Sequence, residues 1–296
     1  MGQRLDHSLM SQAIAKIAVE LRDGYVFPDK GIKAAAFIEN ALAAKIYDGL
    51  TDPAQFAQRV TADLQAVTDD SHMRVVSGSP FKNLPPPAAD AGFEVKILAG
   101  NIGYIYLPKF VPPDEFKPAA DDAMRRVSAA RALIIDLQNN GGGHPASGAY
   151  LTGFFLDPNT PVNTDDIIWR NRGTKTFRTE KFWTSATPVS YLGRPVYVLV
   201  GPKTYSAGEA FAYDMQVLKR ATVVGARTRG GAHPGGLAEI GPDLFVVVPT
   251  GRAENPATRT NWQGVGVLPD VKVAPASAQQ TAVELAMQQI GTAMPK

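Results

Sequence analysis

Cysteine is absent from the 296 residues, which excludes thiol nucleophiles, disulfides and cysteine-ligated metals. Histidine is scarce. His7, His72, His144 and His233 are the four imidazoles available where a general base is needed. No apolar run approaches the roughly 18–20 residues of a membrane-spanning helix. The 30 basic and 28 acidic residues leave a formal charge of +2 with no basic block, so nothing marks a nucleic-acid surface. The phosphate-loop pattern G-x-x-x-x-G-K-[ST] and the dinucleotide pattern G-x-G-x-x-G are missing as well. No cofactor and no metal is therefore expected. No secretory signal is visible: after Met1-Gly2 the chain enters a polar, amphipathic segment. That start fits a cytoplasmic terminus or a chain whose leader has been removed, and the exported, periplasmic reading is preferred.

What is present is a chain with 45% hydrophobic and 20% charged residues, enough for a sizeable core. The spacing predicts three helices before residue 70. The first is capped by Ser8 and aligns Ile14, Ile17, Ala18 and Leu21. The second runs from about Ile32 to Tyr47. The third begins at Pro53 and aligns Phe56, Val60, Leu64 and Val67. Asp69-Asp-Ser-His72 follows it. A helical cap domain is expected over 1–76 and a proline-rich linker over 77–92, where Pro80, Pro85, Pro86 and Pro87 fall. A core domain is expected over 93–296. It opens with a hairpin about Ala99-Gly-Asn101 and then alternates strands and helices. The expected class is α/β, with a mostly parallel core sheet flanked by helices and ligands beyond the carboxyl ends of its strands.

The stretch from Pro195 to Arg220 organises this core. Val196 to Val200 reads as a buried strand, Gly201-Pro202 breaks it, and Ala207, Ala210, Phe211, Met215 and Leu218 fall on one helical stripe. Ser206 sits at the junction, where a strand–turn–helix can expose a hydroxyl and aim free helix amides at a ligand. Ser206-Ala-Gly-Glu209 equally satisfies the S-x-x-E capping box of an ordinary helix. Asn139-Asn-Gly-Gly-Gly143, between a strand and a helix, can form a nest of amides for an anion, a phosphate or an oxyanion, or be a tight turn.

Leu133-Ile-Ile-Asp-Leu-Gln-Asn-Asn-Gly-Gly-Gly143, Thr204-Tyr-Ser-Ala-Gly-Glu209, Ala221-Thr-Val-Val-Gly225, Gly230-Gly-Ala-His-Pro234 and Trp262-Gln-Gly-Val-Gly-Val-Leu-Pro-Asp270 occur in one order. Together they resemble the S41 family of serine peptidases, the tail-specific or C-terminal-processing proteases. The resemblance is to the branch of the tricorn core domain and the repeats of interphotoreceptor retinoid-binding protein. It implies a ClpP/crotonase-like spiral core. The PDZ domain common in the family is not expected, because the linker is too short for one.

The resemblance implies Ser206 as nucleophile, His72 as general base, and Ser71 holding or polarising that histidine. The lysine of the C-terminal-processing branch would fall at Gly231, so a Ser–Lys pair is not expected, and Lys203 reads as a surface residue. Where the family's E-G-x-G-V-x-P-D stretch carries an orienting acid, this chain has Gln263. An amide oxygen can fix an imidazole tautomer but brings no charge to the imidazolium. Attenuated activity is therefore expected unless Glu209 or Asp270 helps. The oxyanion hole is expected from the amides of Ala207 and of the Gly141–Gly143 nest, with Gly142 and Gly143 as candidates. His233 is the rival base or a wall of the substrate site, and His144 ranks third. Tyr205 and Glu209 complete the candidate substrate contacts.

The implied activity is cleavage of peptide bonds in a peptide or protein substrate through an acyl-enzyme on Ser206. The alternative is a binding module for a small apolar ligand, as in the retinoid carriers. A third reading is acyl transfer or hydrolysis on a small non-peptide substrate.

Overall fold

The computed structural model describes residues 4–78 and 92–292, so most of the expected 77–92 linker lies outside the described residues. In chain order the elements begin with α1 (His7–Gly24), α2 (Pro28–Ala43), α3 (Pro53–Thr68), β1 (Arg74–Ser77), β2 (Glu94–Leu98), β3 (Ile102–Tyr106) and α4 (Pro113–Arg126). They continue with β4 (Ala132–Asp136), α5 (Pro145–Gly153), β5 (Asn163–Arg170), β6 (Phe177–Trp183), β7 (Val196–Val200), α6 (Ala207–Val217) and β8 (Thr222–Gly225). The chain closes with β9 (Gly235–Gly241), β10 (Leu244–Pro249), β11 (Gly251–Glu254), β12 (Val271–Lys272) and α7 (Ala278–Thr292).

These elements form two compact units, each assembled from separated stretches. The first takes described residues 4–78 together with Ile167–Glu180 and His233–Ala253; the second takes the remaining described residues. The helical cap read over 1–76 is thus completed by later segments.

In the first unit, α1 is capped by Asp6, whose side chain accepts the Leu9 N–H at 2.8 Å, rather than by Ser8. Pro28 supplies the preset φ of a first helical turn, so α2 starts four residues before the predicted Ile32. Asp52 caps α3 through the amides of Ala54 and Gln55, both at 2.9 Å. The helical stripes bury Ile14, Ile17, Leu21, Ile38, Phe56, Val60 and Leu64 in one core with Val75, Ile240, Val246 and Val248. Each such side chain removed from water contributes roughly 1.5–3 kcal/mol. The strands of that core are antiparallel in the order β1-β10-β9. Gly235 and Gly236 open β9, where pairing with β10 outweighs their glycine content.

The second unit is built on a six-stranded sheet of order β12-β8-β7-β4-β3-β2. Pairing is parallel from β12 through β3, and only the β2–β3 hairpin is antiparallel. Ala278, Ala282 and Ala286 of α7 pack on Ile102, Ala132, Ile134, Leu199 and Val224. Residues of opposite parity, including Ile105, Leu133, Ile135 and Val198, are buried too, as expected of a parallel sheet covered on both faces. The expected α/β class with a mostly parallel core is the observed one. Because β4, β7 and β8 run parallel, the loops after Asp136, Val200 and Gly225 all leave the same edge of the sheet.

Candidate active site

Ser206 follows the β7 turn and immediately precedes α6. Its backbone lies at φ 54° and ψ −122°, a region that costs a non-glycine residue on the order of 1–3 kcal/mol. Something must hold it there, and the holder is Glu209. This side chain is fully buried, and its carboxylate accepts four hydrogen bonds: from Ser206 N–H (2.9 Å), Thr228 Oγ1 (2.5 Å), Gly230 N–H (2.6 Å) and Gly231 N–H (2.8 Å). Burial pushes its carboxyl above the ordinary range, and the four donors work against that shift. The capping-box reading is therefore present through Glu209. With all four donors engaged at zero exposure, Glu209 is the keystone of the turn.

A second set of bonds ties the nucleophile turn to the glycine loop. Tyr205 N–H donates to the Asn140 carbonyl (2.9 Å), and the Asn140 side chain accepts the Gly142 N–H at 2.8 Å. A Cβ on Gly142 (φ +99°) would stand 2.7 Å from Ser206 Cβ, so only glycine permits this approach. Gly143, at φ +141°, passes so close to the Phe110 carbonyl that a Cβ would lie 1.9 Å from its oxygen. These contacts revise the expected oxyanion hole. The Gly142 amide is occupied by Asn140, which leaves Gly143 as the nest's donor candidate. Ala207 opens α6, so its N–H has no intrahelical acceptor.

The residues expected as base and orienter belong to the other unit. α3 ends at Thr68 and Asp69 turns left-handed (φ 53°), which starts the turn that carries Asp70, Ser71 and His72. His72 is buried, Ser71 is half-buried, and the His72 N–H donates to Asp70 Oδ1 at 3.1 Å. Asp70 Oδ2 lies 2.7 Å from His233 Nδ1 and accepts the Tyr25 hydroxyl at 3.2 Å. Asp70 was not anticipated. An acid two residues before a candidate histidine was the available signal, but its ring partner lies 163 positions away.

The other candidates are placed individually. Gln263 Oε1 accepts the Ala232 N–H at 2.7 Å. Asp270 accepts from Gln216 Nε2 (2.7 Å) and Val223 N–H (2.8 Å), so it braces β8 instead of orienting a histidine. His144 caps α5, its Nδ1 accepting the Ala146 N–H at 3.2 Å. The Arg229 guanidinium lies 4.6 Å from the centre of the Tyr205 ring, beside the nucleophile. Lys203 is exposed, as expected.

The family model for peptidase family S41 matches residues 101–273, and the model for the N-terminal domain of Peptidase_S41 in eukaryotic IRBP matches residues 7–96. The carboxyl-terminal-processing peptidase 2, chloroplastic, of Arabidopsis thaliana is 30% identical over 172 residues, covering 57% of this chain and 31% of that protein. The chain thus spans about a third of that relative's length. Among solved structures, the photosystem II D1 C-terminal processing protease superposes with a TM-score of 0.60 at 16% identity, covering 96% of this chain and 97% of that one. The tricorn protease superposes with a TM-score of 0.61 at 13% identity, covering 96% of this chain and 37% of that one. By the extent of the family match, the chain belongs to peptidase family S41.

Proposed function

We propose that the protein is a serine peptidase that cleaves peptide or protein substrates through an acyl-enzyme on Ser206. The observation that carries this reading is the Ser206 backbone. A strained, non-glycine elbow clamped by a buried carboxylate exceeds what a helix cap requires, and it is the means of projecting a hydroxyl from a strand–helix turn. In the proposed reaction His72 accepts the Ser206 proton as Oγ attacks the carbonyl carbon, and the C–N bond then breaks as that proton passes to the leaving amine. Water, deprotonated by the same imidazole, releases the acyl group. Ser71 steadies His72. The Ala207 and Gly143 amides receive the oxyanion, each such donor contributing about 3 kcal/mol to the transition state.

Gln263 takes the place of the orienting acid. Its oxygen accepts the Ala232 N–H, and an amide oxygen can fix an imidazole tautomer, but it carries no charge. Turnover is accordingly attenuated. The reading is tested with a mixed peptide pool and mass-spectrometric product analysis of the wild type, Ser206→Ala and His72→Ala. Cleavage by the wild type alone is expected. Equal products from Ser206→Ala would refute the assignment.

A further inference from the structure

The second unit carries another concavity, at the edge of its sheet opposite Ser206. β7 opens at Val196 and its parallel neighbour β8 at Thr222, while α6 closes at Val217. Arg194, Gln216, Lys219, Arg220, Thr222 and Asp270 line a groove of about 590 Å³ there. That volume falls within the roughly 300–1,000 Å³ of small-molecule sites. Five residues of β7, each rising roughly 3.3 Å, put the groove on the order of 15 Å from the carboxyl edge that leads to Ser206.

Charge in this groove is of one dominant sign. Arg194, Lys219 and Arg220 line it, and none of the three has a carboxylate within ion-pair distance among the described residues. Neutral acceptors hold the guanidiniums instead. Arg220 donates from Nε to the Phe155 carbonyl (2.8 Å) and from Nη2 to the carbonyls of Tyr191 (2.7 Å) and Arg194 (2.8 Å). Arg194 donates to the carbonyls of Ala130 (3.1 Å) and Ser190 (3.0 Å), and its guanidinium lies 3.7 Å from the centre of the Tyr191 ring. Carbonyls fix these side chains without neutralising them. Burial first lowers Arg220 from its ordinary range, and the Arg194 charge works in the same direction. Asp270, the acid in the lining, is committed to Gln216 Nε2 and the Val223 N–H. Arg220 Nη1 is left with no acceptor among the described residues.

We propose that this groove binds a small phosphorylated molecule, with Arg220 Nη1 and Lys219 Nζ on the phosphate and the rest of the molecule along the groove. A phosphate monoester brings roughly −1.5 to −2 charge and three strong acceptor oxygens, which complements three cations set against one carboxylate. The planar guanidinium of Arg220, already fixed by its carbonyls, loses little further freedom on binding. Binding here is independent of whether Ser206 is a nucleophile.

The probe is glycerol 2-phosphate, titrated into the ¹⁵N-labelled full chain at constant ionic strength, with amide chemical shifts as the readout. Saturable shifts centred on residues 193–195 and 219–222 are expected, with Kd on the order of 0.1–1 mM. Lys219→Asn removes one charge at an exposed left-handed position (φ 51°) that asparagine adopts readily, and should weaken binding about 3- to 10-fold. Arg220→Gln should weaken it by more than about tenfold. Because Arg220 also ties three carbonyls, Lys219→Asn decides the matter if Arg220→Gln does not fold. Shifts that fail to saturate, or an unchanged affinity in Lys219→Asn, overturn the proposal. Equal affinity for succinate overturns the phosphate class, and tighter binding of inorganic phosphate than of the ester overturns the molecular ligand. Shifts centred on Gly141–Gly143 would put the anion in the glycine nest and overturn the groove as its site.

Discussion

Two buried carboxylates hold the two turns on which the proposed chemistry depends, and they do so in different ways. Glu209 is surrounded by three main-chain amides and a threonine hydroxyl, none of which can change protonation. Asp70 is met by one amide, a phenol and an imidazole. The first arrangement suits a keystone, because every donor is fixed and the strain at Ser206 is offset by bonds that exist at any working pH. The second suits a site whose members must exchange protons. Asp165 gives the contrasting limit within the second unit. It is buried with Oδ1 unpartnered among the described residues, and burial first and the Asp166 charge second push its carboxyl up to about 8. Donors, more than burial, decide which role a carboxylate takes.

The comparison can be broken most forcefully at the keystone. Glu209→Gln turns an NH2 group toward donors, and is expected to cost about 3 kcal/mol of folding stability, read by urea denaturation. The folded fraction should still label at Ser206. If stability were unchanged and only turnover fell, Glu209 would be a member of the chemistry and the contrast would collapse.

Gly142→Ala tests the approach of the two loops. Its Cβ would fall 2.7 Å from Ser206 Cβ at a φ of +99°, so a loss of about 2 kcal/mol and of most labelling is expected. Normal labelling would show that the glycine loop does not constrain the nucleophile.

Asp165 offers a pH-dependent test. Its folded value of about 8 lies above the ordinary 3.8, so its contribution to stability is fully present below about 4 and is lost as pH rises through about 8. The wild type should lose on the order of 1–3 kcal/mol over that window relative to Asp165→Asn, measured as Tm against pH. Parallel profiles for the two proteins would contradict the assignment.

The smallest effect concerns Gln263. Restoring a carboxylate with Gln263→Glu should raise kcat about tenfold, since a charge near the imidazolium lowers the barrier by about 1.4 kcal/mol for each tenfold gain. A fall in kcat would mean that the bond to Ala232 N–H matters more than the missing charge.

Much of this architecture is legible along the chain, because it is local. The Val196–Val200 strand, the turn and α6 lie within one short stretch, so period and breakers suffice to place Ser206 and the Ala207 amide. The hairpin about residues 99–101 and the stripes of α1 and α3 are readable for the same reason. Helix caps and starts shifted by a few residues, as at Asp6 and Pro28, and the larger misses depend on contacts the linear pattern does not show. Asp70 and His233 meet across 163 positions, and nothing at either residue announces the other. β9 is glycine-rich and becomes a strand only because β10 lies beside it. Gly142 resembles a free donor until the Asn140 side chain is seen to occupy its amide. The glycine pattern does show where backbone comes close, but not which amide is left over.

The central claim is that the strained elbow presents Ser206 as a nucleophile, and residue-level mapping of a fluorophosphonate adduct tests it most directly. Intact-mass and peptide spectra of the treated wild type should show a single adduct on Ser206, strongly diminished in His72→Ala. An unmodified Ser206 in correctly folded wild type, above all in a chain that releases a bound lipid on extraction, would contradict the peptidase account and favour a carrier.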